Sequence, residues 1–327
     1  MTEALGFDRF MELVLYGAAG FYTREGRAGR RGDFITSPEV GPLFGAVVAR
    51  YLDSEWQRLG RPSRFTFVDA GAGPGTLARS VLAAEPECAD ALDYVAVELS
   101  DQQRAIHPDG ITSRPDLPDG PIDGVIFANE LLDNLPFRLA VFDGAWREAY
   151  VVRLPDGQLV EQLSAHFDPV PEPLPVRARH GARAPLQERA HQWVTEARSL
   201  VRQGSVVVVD YCVASTAELA DRPWREWLRT YRGHERGEHY LANPGEQDIT
   251  TDVALDQLPP ADAVRSQAQW LQLHGIDELV DDGKRYWAEH AARPDLTAIQ
   301  MRSRVSEAEA LLDLAGLGGF AVVEWRA

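Results

Sequence analysis

Residues Thr66–Leu82, TFVDAGAGPGTLARSVL, decide how the chain is read. An apolar run ends at Asp69, glycines follow at the alternate positions Gly71, Gly73 and Gly75, and a helical pattern starts at Thr76. Strand, glycine turn and helix in direct succession open an alternating α/β unit. Bare Cα atoms let the backbone turn sharply and let another molecule approach it closely.

Working outward, four β-rich runs stand out after Arg61-Pro62: RFTFVDA, LDYVAVELS, DGVIFANE and SVVVVDY. Continuous apolar runs of this kind suit parallel strands buried on both faces. Helical patterns after Thr76 and from Leu186 to Val201 supply the crossovers, and GGFAVVEW reads as a last strand. The expectation is a doubly wound α/β core over residues 61–327. Two stretches interrupt it, near 137–186 and 212–275. The first carries hairpins turning at Asp143-Gly144 and Asp156-Gly157 and then a proline-rich run; within the second, Ala217 to Pro260 reads as a folded loop. Ahead of the core, helical spacing over Glu3–Tyr16 and Glu39–Leu59 predicts an N-terminal helical cap spanning residues 1–60. Between these helices, YTREGRAGRRGDFITSPEV reads as a long loop that ends in Ser37 and Pro38, a helix-starting pair.

Composition removes several function classes. Acidic residues outnumber basic ones by 50 to 33, for a net charge of -17, which opposes phosphate backbones and anionic membranes, so no nucleic acid is expected as partner. The two cysteines, Cys88 and Cys212, have neither disulfide-framework nor metal-ligand spacing, and no metal is expected. Lys284 is the only lysine, leaving almost nothing for Schiff-base or P-loop chemistry. No apolar run is long enough to span a bilayer, and the acids of MTEALGFDRFMELVLYG do not suit an export or import signal. A cytoplasmic protein without membrane insertion is expected.

The glycine turn departs from the dinucleotide fingerprint, because Thr76 stands where that pattern has its third glycine. Gly-x-Gly-x-Gly after a first strand ending in Asp69 is instead the pattern of S-adenosylmethionine sites. Glu98, roughly 20 residues further on at the end of the next strand, can accept hydrogen bonds from both ribose hydroxyls of an adenosine. The same acid could also cap the helix after Ser100. Beyond the third run, ANELLDNLP brings Asn129, Glu130 and Asp133 to the carboxyl edge of the sheet. Spacing of three places Glu130 and Asp133 on one face of a helical turn; helix capping accounts for the same residues. Two carboxylates could hold a guanidinium fork and take its proton as a methyl group is transferred.

Longer strings extend these motifs. GAAGFYT, GDFITSPEVGPLFG, DAGAGPGTLARSVL, VELS, FANELLDNLPFR, AWREAYV, VVVVDYC, YRGHERGEHYLANPGEQDITTDV and SQAQWLQLHGI occur in this order. On them the chain resembles the MidA-like, S-adenosylmethionine-dependent methyltransferases, the family related to the mitochondrial complex I assembly factor that methylates arginine. It differs from the family at Pro74, at Cys212 in place of a glycine, and in DITTDVAL. The resemblance implies a class I methyltransferase fold, Rossmann-like and doubly wound, with an N-terminal helical extension and inserted substrate-side elements. It implies that the segment with Asp33, Phe34, Thr36, Ser37, Pro38 and Glu39 closes over the cofactor, and that Arg232, His234, Asn243, Asp248 and Thr250 line the substrate side. It further implies a protein substrate, with a complex I subunit as the methyl acceptor. Another acceptor, or a non-catalytic assembly chaperone that keeps the cofactor pocket, are the alternatives.

Overall fold

The run FTFVDA forms strand β1 (Phe65–Ala70), buried at every residue, in a computed structural model that describes residues 4–23, 36–232 and 235–327. Six strands join it in one sheet: β2 (Leu92–Val97), β3 (Thr112–Arg114), β4 (Ile122–Asn129), β5 (Val201–Asp210), β6 (Ala263–Ser266) and β7 (Ala321–Arg326). Their order is β6-β7-β5-β4-β1-β2-β3. The pairs β1–β2, β2–β3, β1–β4 and β4–β5 are parallel, and β6–β7 is antiparallel. The chain steps outward from β1 to β3 and then returns to the other flank of β1 as β4. That reversal is a topological switch point, beyond whose strand ends open α/β sheets bind ligands. Asp69 is the last residue but one of β1, and Asn129 ends β4. All four strands expected from sequence form, as does the last one.

This sheet belongs to one of two compact units, which takes the chain from residue 36 to Asn129 together with Ala197–Val209 and Ala261–Ala327. Helix Pro42–Arg58 buries the predicted stripe of Phe44, Val47, Val48, Tyr51 and Leu52, and the Tyr51 and Ser205 hydroxyls lie 2.7 Å apart. Glu307 accepts a hydrogen bond from the Leu43 N–H at 2.9 Å, satisfying one of the donors left open at this helix's start.

The other unit takes the described residues up to 23 with Glu130–Glu196 and Asp210–Pro260. Strands Arg138–Phe142 and Trp146–Arg153 form the hairpin expected at Asp143-Gly144, and Leu159–His166 pairs with the second of them after the turn at Gly157. Gly144 and Gly157 have φ of 78° and 90°, the left-handed conformations these turns need. Phe7, Phe137, Trp227 and Tyr240 lie in its core, with Phe7 edge-on to Tyr240 at 5.0 Å.

Three expectations shift. The helix expected from Glu3 begins at Phe7, because Ala4–Gly6 forms a strand antiparallel to Trp146–Arg153, and the sheet edge offers those residues backbone partners. The boundary expected at residue 60 is not where compactness divides the chain: residues up to 23 share a core with the inserted strands, whereas helix Pro42–Arg58 packs in the sheet's unit. Ala217 to Pro260 is more than a loop. It holds helices Thr216–Asp221 and Trp224–Trp227 and a sheet of Leu228–Arg232, Glu235–Arg236 and Asp248–Thr251, whose short, polar strands leave little alternation to read. Among the described residues, no helix is long and apolar enough to cross a membrane.

Candidate functional site

In the sheet's unit, the turn after β1 places Gly71, Gly73 and Gly75 at φ of 75°, 53° and 78°, a run of left-handed conformations that residues with a Cβ adopt only at a cost. Glu98, at the end of β2, faces this turn. Its Oε2 accepts the Gly73 N–H at 3.0 Å and its Oε1 accepts the Ser100 N–H at 2.8 Å. Asp69 is buried and accepts a hydrogen bond from the Tyr94 hydroxyl at 2.9 Å. Burial pushes its carboxyl up to about 7, the tyrosine bond opposes the rise, and the Glu98 charge adds to it. Gln103 was not expected. It is buried, its Oε1 has no hydrogen-bond partner among the described residues, and that oxygen lies 3.3 Å from where a Cβ on Gly73 would stand. Its place shortly after the strand-end acid was the available signal.

The segment Thr36–Glu39 is a helix start, as the sequence suggests. The Thr36 N–H donates to Glu39 Oε2 at 3.3 Å, with Pro38 in the first turn of the short helix Ser37–Val40. Ser37 is fully buried and its hydroxyl donates to Gln267 Oε1 at 2.8 Å. The Ser37 side chain is therefore used in anchoring the segment, and no bond to the cofactor turn is formed by it. Asp33, Phe34 and His234 lie outside the described residues.

In the other unit, carboxylates gather around the turn after β4. Glu130 is not helical: its φ of 52° is left-handed, and the 3-10 turn begins only at Leu132–Asn134. The shared helical face expected for Glu130 and Asp133 is therefore absent, and the capping alternative fails with it. Held non-glycine residues of this kind cost about 1–3 kcal/mol and cluster at functional sites. The two acids still interact, because Asp133 is buried and Glu130 is among the charges acting on it. Burial first, then Asp210, Asp248 and Glu130, raise the proton affinity of Asp133 well above the ordinary carboxylate range, with Arg229 opposing.

The neighbours of Asp133 are largely committed elsewhere. Asp210 Oδ2 accepts the Leu132 and Asp133 N–H groups at 2.8 and 3.3 Å, and its Oδ1 accepts the Tyr211 N–H at 2.8 Å. Asp248 Oδ1 accepts from the Tyr22 hydroxyl at 2.9 Å, from Asn134 Nδ2 at 3.1 Å and from the Ile249 N–H at 2.9 Å. Asp133 Oδ1 has no hydrogen-bond partner among the described residues. Arg229 lies over the Tyr211 ring at 5.1 Å and donates to Asp252 at 2.6 Å. Of the residues expected on the substrate side, Asp248 joins this cluster, Thr250 is buried in the same strand, Arg232 makes an exposed ion pair with Glu246 at 2.9 Å, and Asn243 is a left-handed turn residue at φ of 46°. Tyr22, Asn134 and Arg229 were not expected; nothing local in the sequence marks them.

Comparison with known proteins decides the family. A family described as S-adenosyl-L-methionine-dependent methyltransferase matches residues 47–276. This chain belongs to that family. A Burkholderia thailandensis protein solved with S-adenosyl-homocysteine bound is similar over 99% of this chain and 88% of its own, with a TM-score of 0.84 and 25% identity. The protein arginine methyltransferase NDUFAF7 homolog of Drosophila melanogaster, a mitochondrial protein, is 30% identical over 284 residues, which are 74% of this chain and 62% of that one. The Mus musculus protein arginine methyltransferase NDUFAF7 is 24% identical over 304 residues, 79% of this chain and 66% of that one. The chain thus spans less than two thirds of the length of the fly and mouse relatives. The chain has the class I fold of that family, and S-adenosylmethionine is its cofactor.

The residues of the glycine turn fit that cofactor. Each oxygen of Glu98 accepts one backbone N–H, and a carboxylate has lone pairs to spare for two ribose hydroxyls. The unpartnered oxygen of Gln103 offers a further acceptor beside the Gly73 Cα, which lacks any side chain.

Proposed function

We propose that this methyltransferase modifies the guanidinium of a protein arginine, with Asp133 as the residue that holds the acceptor and the glycine turn as the seat of the donor. One observation carries the reading: a buried carboxylate oxygen, Asp133 Oδ1, with no hydrogen-bond partner among the described residues, amid acids that raise its proton affinity. An unmet buried acceptor of this kind is costly unless something cationic or protonic completes it. A guanidinium supplies parallel N–H donors that match a carboxylate, and its positive charge would draw Asp133 to the ionised form. The bound cofactor supplies an electrophilic methyl group on sulfur. A guanidinium nitrogen bonds to that methyl carbon, the carbon–sulfur electrons stay on sulfur, and the nitrogen gives up a proton. Asp133, ionised by the bound guanidinium and with Glu130 beside it, is the acceptor for that proton. The names of the fly and mouse relatives support arginine as the acceptor. A subunit of respiratory complex I is the protein substrate that follows from the resemblance.

Purified chain, methyl-labelled S-adenosylmethionine and complex I subunits of the host provide the test. Hydrolysis of the labelled protein should return the label as methylarginine. Label on another side chain, or on small molecules alone, would overturn the arginine assignment.

A further inference from the structure

The chain that follows Glu98 comes back against the glycine turn. His107 Nε2 lies 2.8 Å from the Gly73 carbonyl oxygen, and His107 Nδ1 lies 2.9 Å from Ser113 Oγ. A carbonyl oxygen can only accept, so the ring proton sits on Nε2 and is donated to Gly73. The Ser113 hydroxyl then donates to Nδ1, which fixes the tautomer. On the other side of the same residue, Glu98 Oε2 accepts the Gly73 N–H at 3.0 Å. Both polar groups of Gly73 are therefore held by side chains, and both side chains come from residues 98–107. The imidazole also fills the space beneath the turn: a Cβ on Gly75 would stand 3.1 Å from His107 Cδ2 and 3.1 Å from Pro108 Cδ. A glycine turn left to itself is the most conformationally free stretch of backbone a protein can have.

We propose that His107 is a positioning residue for cofactor binding, which holds the Gly73 carbonyl while Glu98 holds the Gly73 N–H, and so keeps the turn in its ligand-ready form. The proposal rests on the glycine turn being the seat of the cofactor. Preforming the turn removes ordering that binding would otherwise have to supply, so His107 should act on affinity. It reaches the cofactor only through the turn, and kcat at saturating cofactor should stay near the wild-type value.

The full chain is titrated with S-adenosyl-homocysteine by calorimetry, in the wild type, His107→Asn, His107→Gln and Gly73→Val. Asparagine is too short to reach the Gly73 carbonyl from this position, and glutamine can place an amide N–H where Nε2 stands. His107→Asn should weaken binding about tenfold, the scale of one lost hydrogen bond to a part-buried group, and raise KM for the donor in parallel. His107→Gln should recover most of that loss. An affinity in His107→Asn equal to wild type, or a His107→Gln as weak as His107→Asn, overturns the proposal. Lowered thermal stability with unchanged affinity in folded His107→Asn would reduce His107 to a structural role and also overturn it. Gly73→Val separates the two readings. Wild-type affinity there means that the turn is not the cofactor seat; lost affinity there with intact binding in His107→Asn refutes the role of His107 alone.

Discussion

At the glycine turn, both backbone groups of Gly73 meet a side chain that completes them; in the acid cluster, a carboxylate is buried beside three others with an oxygen left over. The first arrangement is built from backbone and from residues within one stretch of sequence. The second draws on Tyr22, Asp133, Asp210, Arg229 and Asp248, and the Tyr22–Asp248 bond alone joins positions 226 residues apart. At the turn, both backbone polar groups of Gly73 are satisfied as they stand. The cluster crowds acids together in a buried place, which raises the proton affinity of Asp133 and Asp210. The difference teaches how each part of the proposed site is encoded: the proposed cofactor seat by residues near one another in the chain, and the proposed acceptor grip by residues far apart in it.

The largest expected effect breaks the turn. Gly73→Val puts a branched side chain at φ of 53°, against Gln103 Oε1, and should abolish measurable S-adenosyl-homocysteine binding by calorimetry while the far-UV circular dichroism stays native. Next, Glu98→Ala removes the acceptor of the Gly73 and Ser100 N–H groups as well as the ribose acceptor. Cofactor affinity should fall by about 1.5–3 kcal/mol, and competition with NAD should not appear.

A smaller effect compares the two units through pH. Asp69 in one and Asp210 in the other are both pushed up to about 7 by burial. An acid protonated in the fold but ionised when unfolded binds its proton more tightly in the native state. Its contribution to stability is therefore whole below about pH 4 and is lost as pH rises towards 7. Asp69→Asn should flatten part of the decline in denaturant midpoint across that window, and so should Asp210→Asn. An unchanged profile in either variant would show that its carboxyl is ionised in the native state at acidic pH. The smallest effect is expected at Arg232, whose pair with Glu246 is half exposed. Arg232→Ala should change stability by under about 1 kcal/mol and leave cofactor affinity alone.

The same contrast explains what was legible in the sequence. Strands β1, β2, β4 and β5 announce themselves as apolar runs, and Gly71, Gly73, Gly75 and Glu98 by local spacing, because strand, turn and next strand end are fixed by neighbours in the chain. Glu130 and Asp133 were found by type, but their three-residue spacing suggested a helical turn. The left-handed backbone at Glu130 has no signature in a glutamate. Ser37 reads as a helix start either way, and its buried bond to Gln267 joins positions 230 residues apart. Residues 4–6 fall within a helical pattern, yet a strand edge claims their backbone.

The most direct test of the account is Asp133→Asn, which keeps volume and hydrogen bonding but removes charge and basicity. Cofactor affinity, measured by calorimetry, should stay at the wild-type value, while methyl transfer to a protein arginine falls by about 10²–10⁴, the range for a positioned general base. Wild-type turnover in a folded Asp133→Asn variant would contradict the assignment of the acid cluster as the acceptor's grip.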